Sequence, residues 1–101
     1  MSIFMASPVQ SSKAYVTADI PVGNYVDIKD DWVPSVKVAG ILPTADTDQA
    51  ATRTTVRGIL WDDNELVPKD FVITLYMAHP LRFRRIYRTG TTCTSFIMLA
   101  Q

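Results

Sequence analysis

A chain of 101 residues has room for one domain with a single modest core. Hydrophobic residues make up 48% and charged residues 20%, and ten basic side chains balance ten acidic ones to a formal net charge of zero. The hydrophobic content argues against an intrinsically disordered chain. The net charge of zero argues against a protein that is attracted to nucleic acid or acidic membranes by its overall charge.

The chain is predicted to begin with a flexible arm, residues 1–13, because this stretch is small and polar after a brief apolar start. Beyond it, short apolar runs are separated by turn residues, so residues 14–101 are predicted to form a single β domain. In chain order the strand candidates are "AYVTADI", "GNYVDI", "WVPSVKVAGIL", "RTTVRGILW", "DFVITLYMA", "LRFRRIYR" and "TCTSFIMLA".

Turn signals recur at intervals of about 10 to 15 residues, and the chain contains eleven threonines. This pattern is typical of an all-β fold, and we predict a small antiparallel β-sandwich or β-barrel. One long loop is expected around residues 43–52, where "TADTDQAAT" is the best helical candidate but is better explained as a solvated loop. Long loops are often contact surfaces, so Thr44, Asp46 and Asp48 are predicted contacts.

Few residues have the character of a catalytic or metal site. His79 and Cys93 are the only histidine and cysteine, and neither has further ligands at metal-binding spacing. Cys93 lies in a threonine-rich strand pattern, where a small buried thiol is the ordinary role. The acidic groups in "KDD" and "DDNE" are typical of turns, and "DDNE" lacks the rest of a calcium loop. We expect no enzymatic activity, no metal and no cofactor.

Targeting signals are also not expected. The start, "MSIFMASPVQSSK", lacks the basic region and the apolar core of a secretory signal peptide. No apolar stretch approaches the roughly 18 residues of a membrane span, so a membrane partner is not predicted either.

The segment "LRFRRIYRTG", residues 81–90, is the most distinctive feature because it concentrates four arginines and two aromatic residues. If it is a regular strand, alternate side chains lie on opposite faces of the sheet. One face then carries Leu81, Phe83, Arg85 and Tyr87, and the other carries Arg82, Arg84, Ile86 and Arg88.

Three interpretations of this strand stay open. Arg82, Arg84 and Arg88 can contact the phosphates of a single-stranded nucleic acid, with aromatic stacking beside them. They can also form a solvated edge whose charge discourages pairing. The favoured interpretation is a protein interface in which arginines pair with the acidic turns of another copy. Its predicted residues are Arg82, Phe83, Arg84, Arg85, Tyr87 and Arg88, with Asp62, Asp63 and Glu65 or the acidic pair at 30–31 as their partners.

The middle of the chain resembles the small head-decoration (cement) proteins of tailed phages. "VAGIL" at 38–42, "ADTDQAAT" at 45–52 and "TTVRG" at 54–58 stand in the order of that family's strand, polar stretch and second strand. The resemblance covers roughly 30 residues. It implies a non-enzymatic virion protein that stabilises the head by oligomerising over capsomers, with itself and a major capsid protein as partners.

A second resemblance is to the small β-barrel head-closure proteins of phage head–tail junctions, through "DWVPSVKV" and "FRRIYRTG". It implies a ring of subunits in a head–tail connector. Both resemblances imply a protein that is located in the virion after assembly in the host cytoplasm. The alternative from a different class is a small β-barrel that binds single-stranded nucleic acid.

Overall fold

The structure is a computed structural model, and it describes residues 12–28 and 38–100. The candidate strand residues 32–37, the acidic pair at 30–31 and most of the predicted arm lie outside these residues. The described part of the chain forms seven strands: β1 (Lys13–Val16), β2 (Tyr25–Asp27), β3 (Val38–Asp46), β4 (Arg53–Leu60), β5 (Lys69–Thr74), β6 (Phe83–Tyr87) and β7 (Cys93–Ala100).

The strands form two antiparallel sheets. One sheet has the order β1-β7-β3, and the other has the order β2-β6-β4-β5. The protein is therefore an all-β sandwich, and the described strands do not close into a barrel. Several neighbours in a sheet are far apart in sequence, as β1 and β7 are, so the sheet order depends on long-range pairing.

The core lies between the two sheets. Ile41, Phe96 and Met98 come from the three-stranded sheet, and Val56 and Ile86 come from the four-stranded one; all five are fully buried. All but Met98 are β-branched or aromatic residues, which pack well on a pleated surface. Burial of such apolar area is the main favourable contribution to folding.

The segment that follows β5 links the four-stranded sheet to β3 of the other sheet. After β5, the chain crosses to the outer edge of β3, where His79 and Ile41 exchange two backbone hydrogen bonds of 2.8 and 2.9 Å. The backbones approach so closely that a Cβ on Gly40 would lie 2.2 Å from the carbonyl oxygen of His79. Only glycine fits at this position without a shift of one backbone.

The loop predicted around residues 43–52 is shorter than expected, because β3 continues to Asp46 and the connection to β4 covers only residues 47–52. Pro43 suggested a strand end, since proline cannot donate to a ladder. In the structure, the carbonyl of Pro43 accepts from Tyr76, on the side of β3 that faces away from β7. Its missing N–H therefore points to the strand edge and removes no bond to β7.

Two other strand candidates end early. β1 stops at Val16, where residues Thr17–Asp19 form a short 3₁₀ turn. β5 stops at Thr74, because Tyr76 adopts a φ of 61° and turns the chain toward β3. At the start of the domain, Lys13 already belongs to β1, so the ordered sheet includes the last residue of the predicted arm.

Substituting Gly40 tests the close approach between β3 and residue 79. We predict that Gly40→Ala lowers the free energy of unfolding by about 1–3 kcal/mol, because the new methyl group meets backbone and not a flexible side chain. The measurement is urea unfolding, monitored by tryptophan fluorescence. Val22→Ala, at an exposed turn position, is the control and is expected to change stability by less than about 0.5 kcal/mol. Equal stability of the two variants would contradict the prediction.

Candidate interaction surfaces

A β-bulge in β6 determines where its arginines lie. Against β4, Ile86 is opposite Gly58 and Arg85 is opposite Ile59, but Leu60 is opposite Phe83. Arg84 is thus an extra residue, and Phe83 and Ile86 are both fully buried. The predicted alternation, which put these two side chains on opposite faces, is wrong because the extra residue resets the pleat.

Arg82 and Arg84 contact their own chain near the start of β6. Arg82 Nε donates to the carbonyl oxygen of Val38 at 2.9 Å, and its Nη1 lies 3.7 Å from the carboxylate of Asp62. The guanidinium of Arg84 lies 5.9 Å from the ring centroid of Trp61, within the range of a cation–π contact. Both arginines therefore connect β6 to neighbouring segments of the same molecule.

Arg85 lies on the outer face of the four-stranded sheet, in a cluster with β2. Its Nη2 is 3.4 Å from a carboxylate oxygen of Asp27, and its guanidinium is 4.1 Å from the ring centroid of Tyr25. The Tyr25 and Tyr87 rings are 5.2 Å apart. About a fifth of the Arg85 and Asp27 side chains is exposed, at 19% and 21%. The pair is well shielded from water, so it holds β2 to β6 more firmly than an exposed ion pair would.

Arg88 follows β6 and ties its end to the 3₁₀ turn. Its Nη1 donates to the carbonyl oxygens of Ala18 and Ile20, at 3.3 and 2.9 Å, and its backbone N–H donates to Asn24. All four arginines of the segment thus contact other parts of the same chain. Their predicted role at a protein interface, or on nucleic acid, remains a prediction.

The acidic turn after β4 is also held internally. Asp63 lies 3.0 Å from Lys69 and accepts a hydrogen bond from the backbone of Glu65. The hydrogen bond from Lys69 holds the pKa of Asp63 below its ordinary value. Asp62 reaches Arg82 of its own chain, with 84% of its side chain exposed. Asp62 and Arg82, which were predicted to pair between two copies, therefore lie within ion-pair distance in a single molecule.

The three predicted loop contacts fall in two places. Thr44 and Asp46 belong to β3, where the Thr44 hydroxyl is 2.7 Å from that of Ser95. Asp48 is in the loop and accepts a hydrogen bond from Ala50. Burial raises the pKa of Asp46, but hydrogen bonds from the Thr54 hydroxyl, the Asp48 backbone and the hydroxyls of Thr92 and Thr47 outweigh it, so its pKa lies below the ordinary value. Asp46 therefore organises the loop.

The open edge of β5 is a surface that the sequence reasoning missed. β5 is the last strand of its sheet, and among the described residues no strand pairs with its outer edge. Eight large hydrophobic side chains are exposed in the described part of the chain, and five of them belong to β5 or to the segments that flank it in sequence. They are Leu66, Val67, Val72, Tyr76 and Met77, each between 55% and 74% exposed.

On the opposite side of the sandwich, β1 and β2 border an open cleft of about 660 Å³. The other exposed hydrophobic residues, Val16, Val22 and Tyr25, lie on or next to it. Lys13 and Asp27 contribute charges of both signs. The described lining of the cleft thus combines apolar side chains with charged ones.

The side chains of Cys93 and His79 both form hydrogen bonds within the chain. Cys93 is fully buried, as predicted, and burial raises the pKa of its thiol. The ring of His79 donates from Nε2 to the carbonyl oxygen of Thr74 at 2.8 Å. No group of three metal-binding side chains occurs in residues 12–28 and 38–100, and no helix there is long and apolar enough to cross a membrane.

The fold and these surfaces define a small all-β sandwich with open, partly apolar sheet edges. Comparisons with protein-family models, with curated proteins and with solved structures give no match for this chain. Its function must therefore be argued from its own residues.

The Thr54–Asp46 hydrogen bond gives a pH-dependent prediction. Thr54 is 2% exposed and donates to Asp46 at 2.6 Å, so Thr54→Val is expected to lower the free energy of unfolding by about 1–3 kcal/mol at neutral pH. Because the pKa of Asp46 is lowered on folding, this contribution is complete above about pH 4 and is lost as the pH falls through the folded-state pKa.

The measurement is urea unfolding of wild type and variant from pH 7 to pH 2. Thr55→Val removes the same hydroxyl from the other face of β4 and serves as the control. A stability difference for Thr54→Val that stays constant down to pH 2 would show that the Asp46 charge is not involved.

Proposed function

We propose that this chain is a non-enzymatic structural protein of a virus particle, which stabilises a phage head as a decoration protein by oligomerising over capsomers. The observation that carries the proposal is an outer edge of β5 that no described strand covers, together with five exposed apolar side chains in β5 and its flanking segments, between Leu66 and Met77. Isolated soluble domains usually protect such edges, and an unprotected one is a place for protein contact.

The arrangement of charge supports protein contact over long-range attraction. The net charge is zero, and the basic segment that suggested nucleic-acid binding makes its contacts within the chain. The segments that resemble the decoration family correspond to β3, the short loop and β4. A head-closure role in a connector ring uses the same kind of surface and is the alternative within the virion class.

A second candidate function is binding of single-stranded nucleic acid, and one feature favours it. Tyr25 and Tyr87 form an aromatic pair on the outer face of the four-stranded sheet, next to the Arg85 side chain. Aromatic rings beside arginine on a sheet are a stacking platform for bases. Arg85, however, already lies 3.4 Å from the carboxylate of Asp27 in its own chain.

Two solution measurements separate these functions. Light scattering at increasing protein concentration is expected to show association of the purified chain, because exposed apolar edges drive contact between copies. Fluorescence anisotropy with a labelled oligothymidylate at low salt is expected to show no binding. A protein that stays monomeric and binds the oligonucleotide, with an affinity that falls steeply with salt, would contradict the proposal.

The particle itself provides the more specific test. Genes for capsid, portal and protease proteins are expected beside the gene for this chain. The chain should also co-sediment with the heads that those genes produce. A gene neighbourhood without any virion protein would overturn the virion assignment while leaving the self-association intact.

A further inference from the structure

The edge strand β1 borders open space along one side. It is the last strand of the three-stranded sheet, and among the described residues no strand pairs with its outer side. All four residues of β1 line the cleft of about 660 Å³ that lies between β1 and β2, the edge strand of the other sheet. This volume is in the range of ligand sites, about 300–1,000 Å³.

Hydrogen bonds at the far edge of the same sheet determine which backbone groups of β7 point to β1. Ile41 in β3 exchanges its backbone hydrogen bonds with His79, on the side away from β7. Ile41 and the residue opposite it, Met98, are therefore a pair without hydrogen bonds between them, and Met98 directs its N–H and C=O groups to β1. The Pro43 carbonyl also accepts on the outer side, so its opposite residue Phe96 faces β1 in the same way.

The register between β7 and β1 extends this pattern to the open edge. Lys13 and Tyr15 are the residues of β1 opposite those two, so their backbone groups bond to β7. Alternate residues of a strand address opposite neighbours, so Ala14 and Val16 direct their N–H and C=O groups outward. No described residue binds these groups, and both side chains are exposed.

On the other side of the cleft, β2 offers fewer free groups. The Arg88 N–H donates to the Asn24 carbonyl, so Asn24 faces β6 and Tyr25 directs its backbone groups toward the cleft. The outward N–H of Tyr25, however, already donates to the side chain of Asn24 at 2.8 Å. A strand that enters the cleft therefore finds its free backbone partners on β1.

The charges around the cleft indicate the kind of segment that fits it. Asp27 pairs with Arg85, and the Lys13 ammonium lies 5.3 Å from the ring centroid of Tyr15. Asp19 is exposed, and among the described residues it has no cationic partner. The rest of the described lining is apolar or aromatic. A segment that alternates apolar and basic residues complements this lining.

We propose that the outer edge of β1 binds an extended segment of another protein as an added antiparallel strand. Antiparallel pairing is the pairing of every strand in the described sandwich. Residues directly opposite each other share a face, so the segment has apolar side chains opposite Ala14 and Val16. Its basic side chains alternate with these and enter the cleft, where one of them reaches Asp19. Main-chain hydrogen bonds give the affinity, and the side chains give the specificity.

This inference goes beyond the proposed function, because it concerns a different edge from that of β5 and requires no second copy. The two proposals therefore fail separately: self-association does not depend on the edge of β1, and peptide binding does not depend on self-association.

A fluorescein-labelled heptapeptide of alternating valine and lysine, with valine at both ends, is the probe. Fluorescence anisotropy at about 0.1 M salt, where long-range attraction is screened, is expected to show a dissociation constant on the order of 10–100 micromolar. The valines lie opposite Ala14 and Val16, so methylation of two valine amides is expected to weaken binding about tenfold, because two main-chain hydrogen bonds are lost.

Methylation of two lysine amides is the matched control, because these N–H groups point away from β1. It is expected to leave the dissociation constant within about twofold. Equal effects of the two methylated peptides, or no binding of the unmethylated one, overturn the proposal.

Substitution of Asp19 tests the position of the basic side chain. Asp19→Lys is expected to weaken binding of the lysine peptide about fivefold, as the loss of one exposed charge contact does. Glu65→Lys makes the same charge change at an exposed position outside the described lining of the cleft, and it should leave binding within about twofold. Equal losses in both variants would reveal only long-range attraction and contradict the proposal. Circular dichroism checks that both variants keep the sandwich.

Hydrogen exchange at single amides locates the bound peptide. The peptide is expected to slow exchange at Ala14 and Val16 about fivefold or more, and to leave Tyr15, whose N–H faces β7, unchanged. Unchanged exchange at Ala14 and Val16 while the peptide is bound overturns the proposal.

The edge of β5 provides the control for this measurement. The Leu75 N–H donates to the Thr52 carbonyl at 3.0 Å in the ladder with β4, so by the same alternation Asp70 and Val72 direct their N–H groups outward. The peptide should not slow exchange at these two amides. Slower exchange there, with no change at β1, would assign the peptide to the wrong edge and overturn the proposal.

Exchange without peptide distinguishes the other occupants of the β1 edge. Protection of Ala14 and Val16 that increases with protein concentration would assign the edge to a second copy. Strong protection of both amides at every concentration would assign it to a segment of the same chain. Either result overturns the proposal, whereas fast exchange in the free protein at every concentration supports it.

Discussion

The extra residue in β6 is the constraint on which the character of this protein depends. Arg84 is an extra residue between the pairs Arg85–Ile59 and Phe83–Leu60. Because of this bulge, Phe83 and Ile86 both enter the core, and Arg85 lies outside against Asp27 and Tyr25. Without the bulge, regular alternation would direct one of the two large apolar side chains to solvent. The same irregularity that completes the core distributes the arginines around the strand.

This distribution changes the meaning of the basic segment. Four arginines in a short stretch suggest a charged binding surface. In the fold they bridge strands to turns: Arg82 reaches Val38, and Arg88 reaches Ala18 and Ile20. Hydrogen bonds from arginine to buried or half-buried carbonyl groups satisfy acceptors that would otherwise be lost. The contact surface that we propose is a different one, the outer edge of β5, which no described strand covers.

Local patterns predicted part of this structure well. β4, β6 and β7 lie within their strand candidates, because β-branched residues and turn signals act over a few residues. The bulge at Arg84 and the edge position of Pro43 could not be predicted, since both depend on which strand lies alongside. The open edge of β5 depends on the order β2-β6-β4-β5, which no local pattern contains. The contact surface that we propose could not be predicted for that reason.

The central claim is that contact occurs at the outer edge of β5, and hydrogen exchange at single amides tests it most directly. In the isolated chain the N–H groups of Asp70 and Val72 point to solvent and should exchange quickly, unlike that of Ile73, which faces β4. The account predicts that exchange at Asp70 and Val72 slows as protein concentration rises, in step with association. If these two amides exchange at the same rate at every concentration while the protein associates, the account is contradicted.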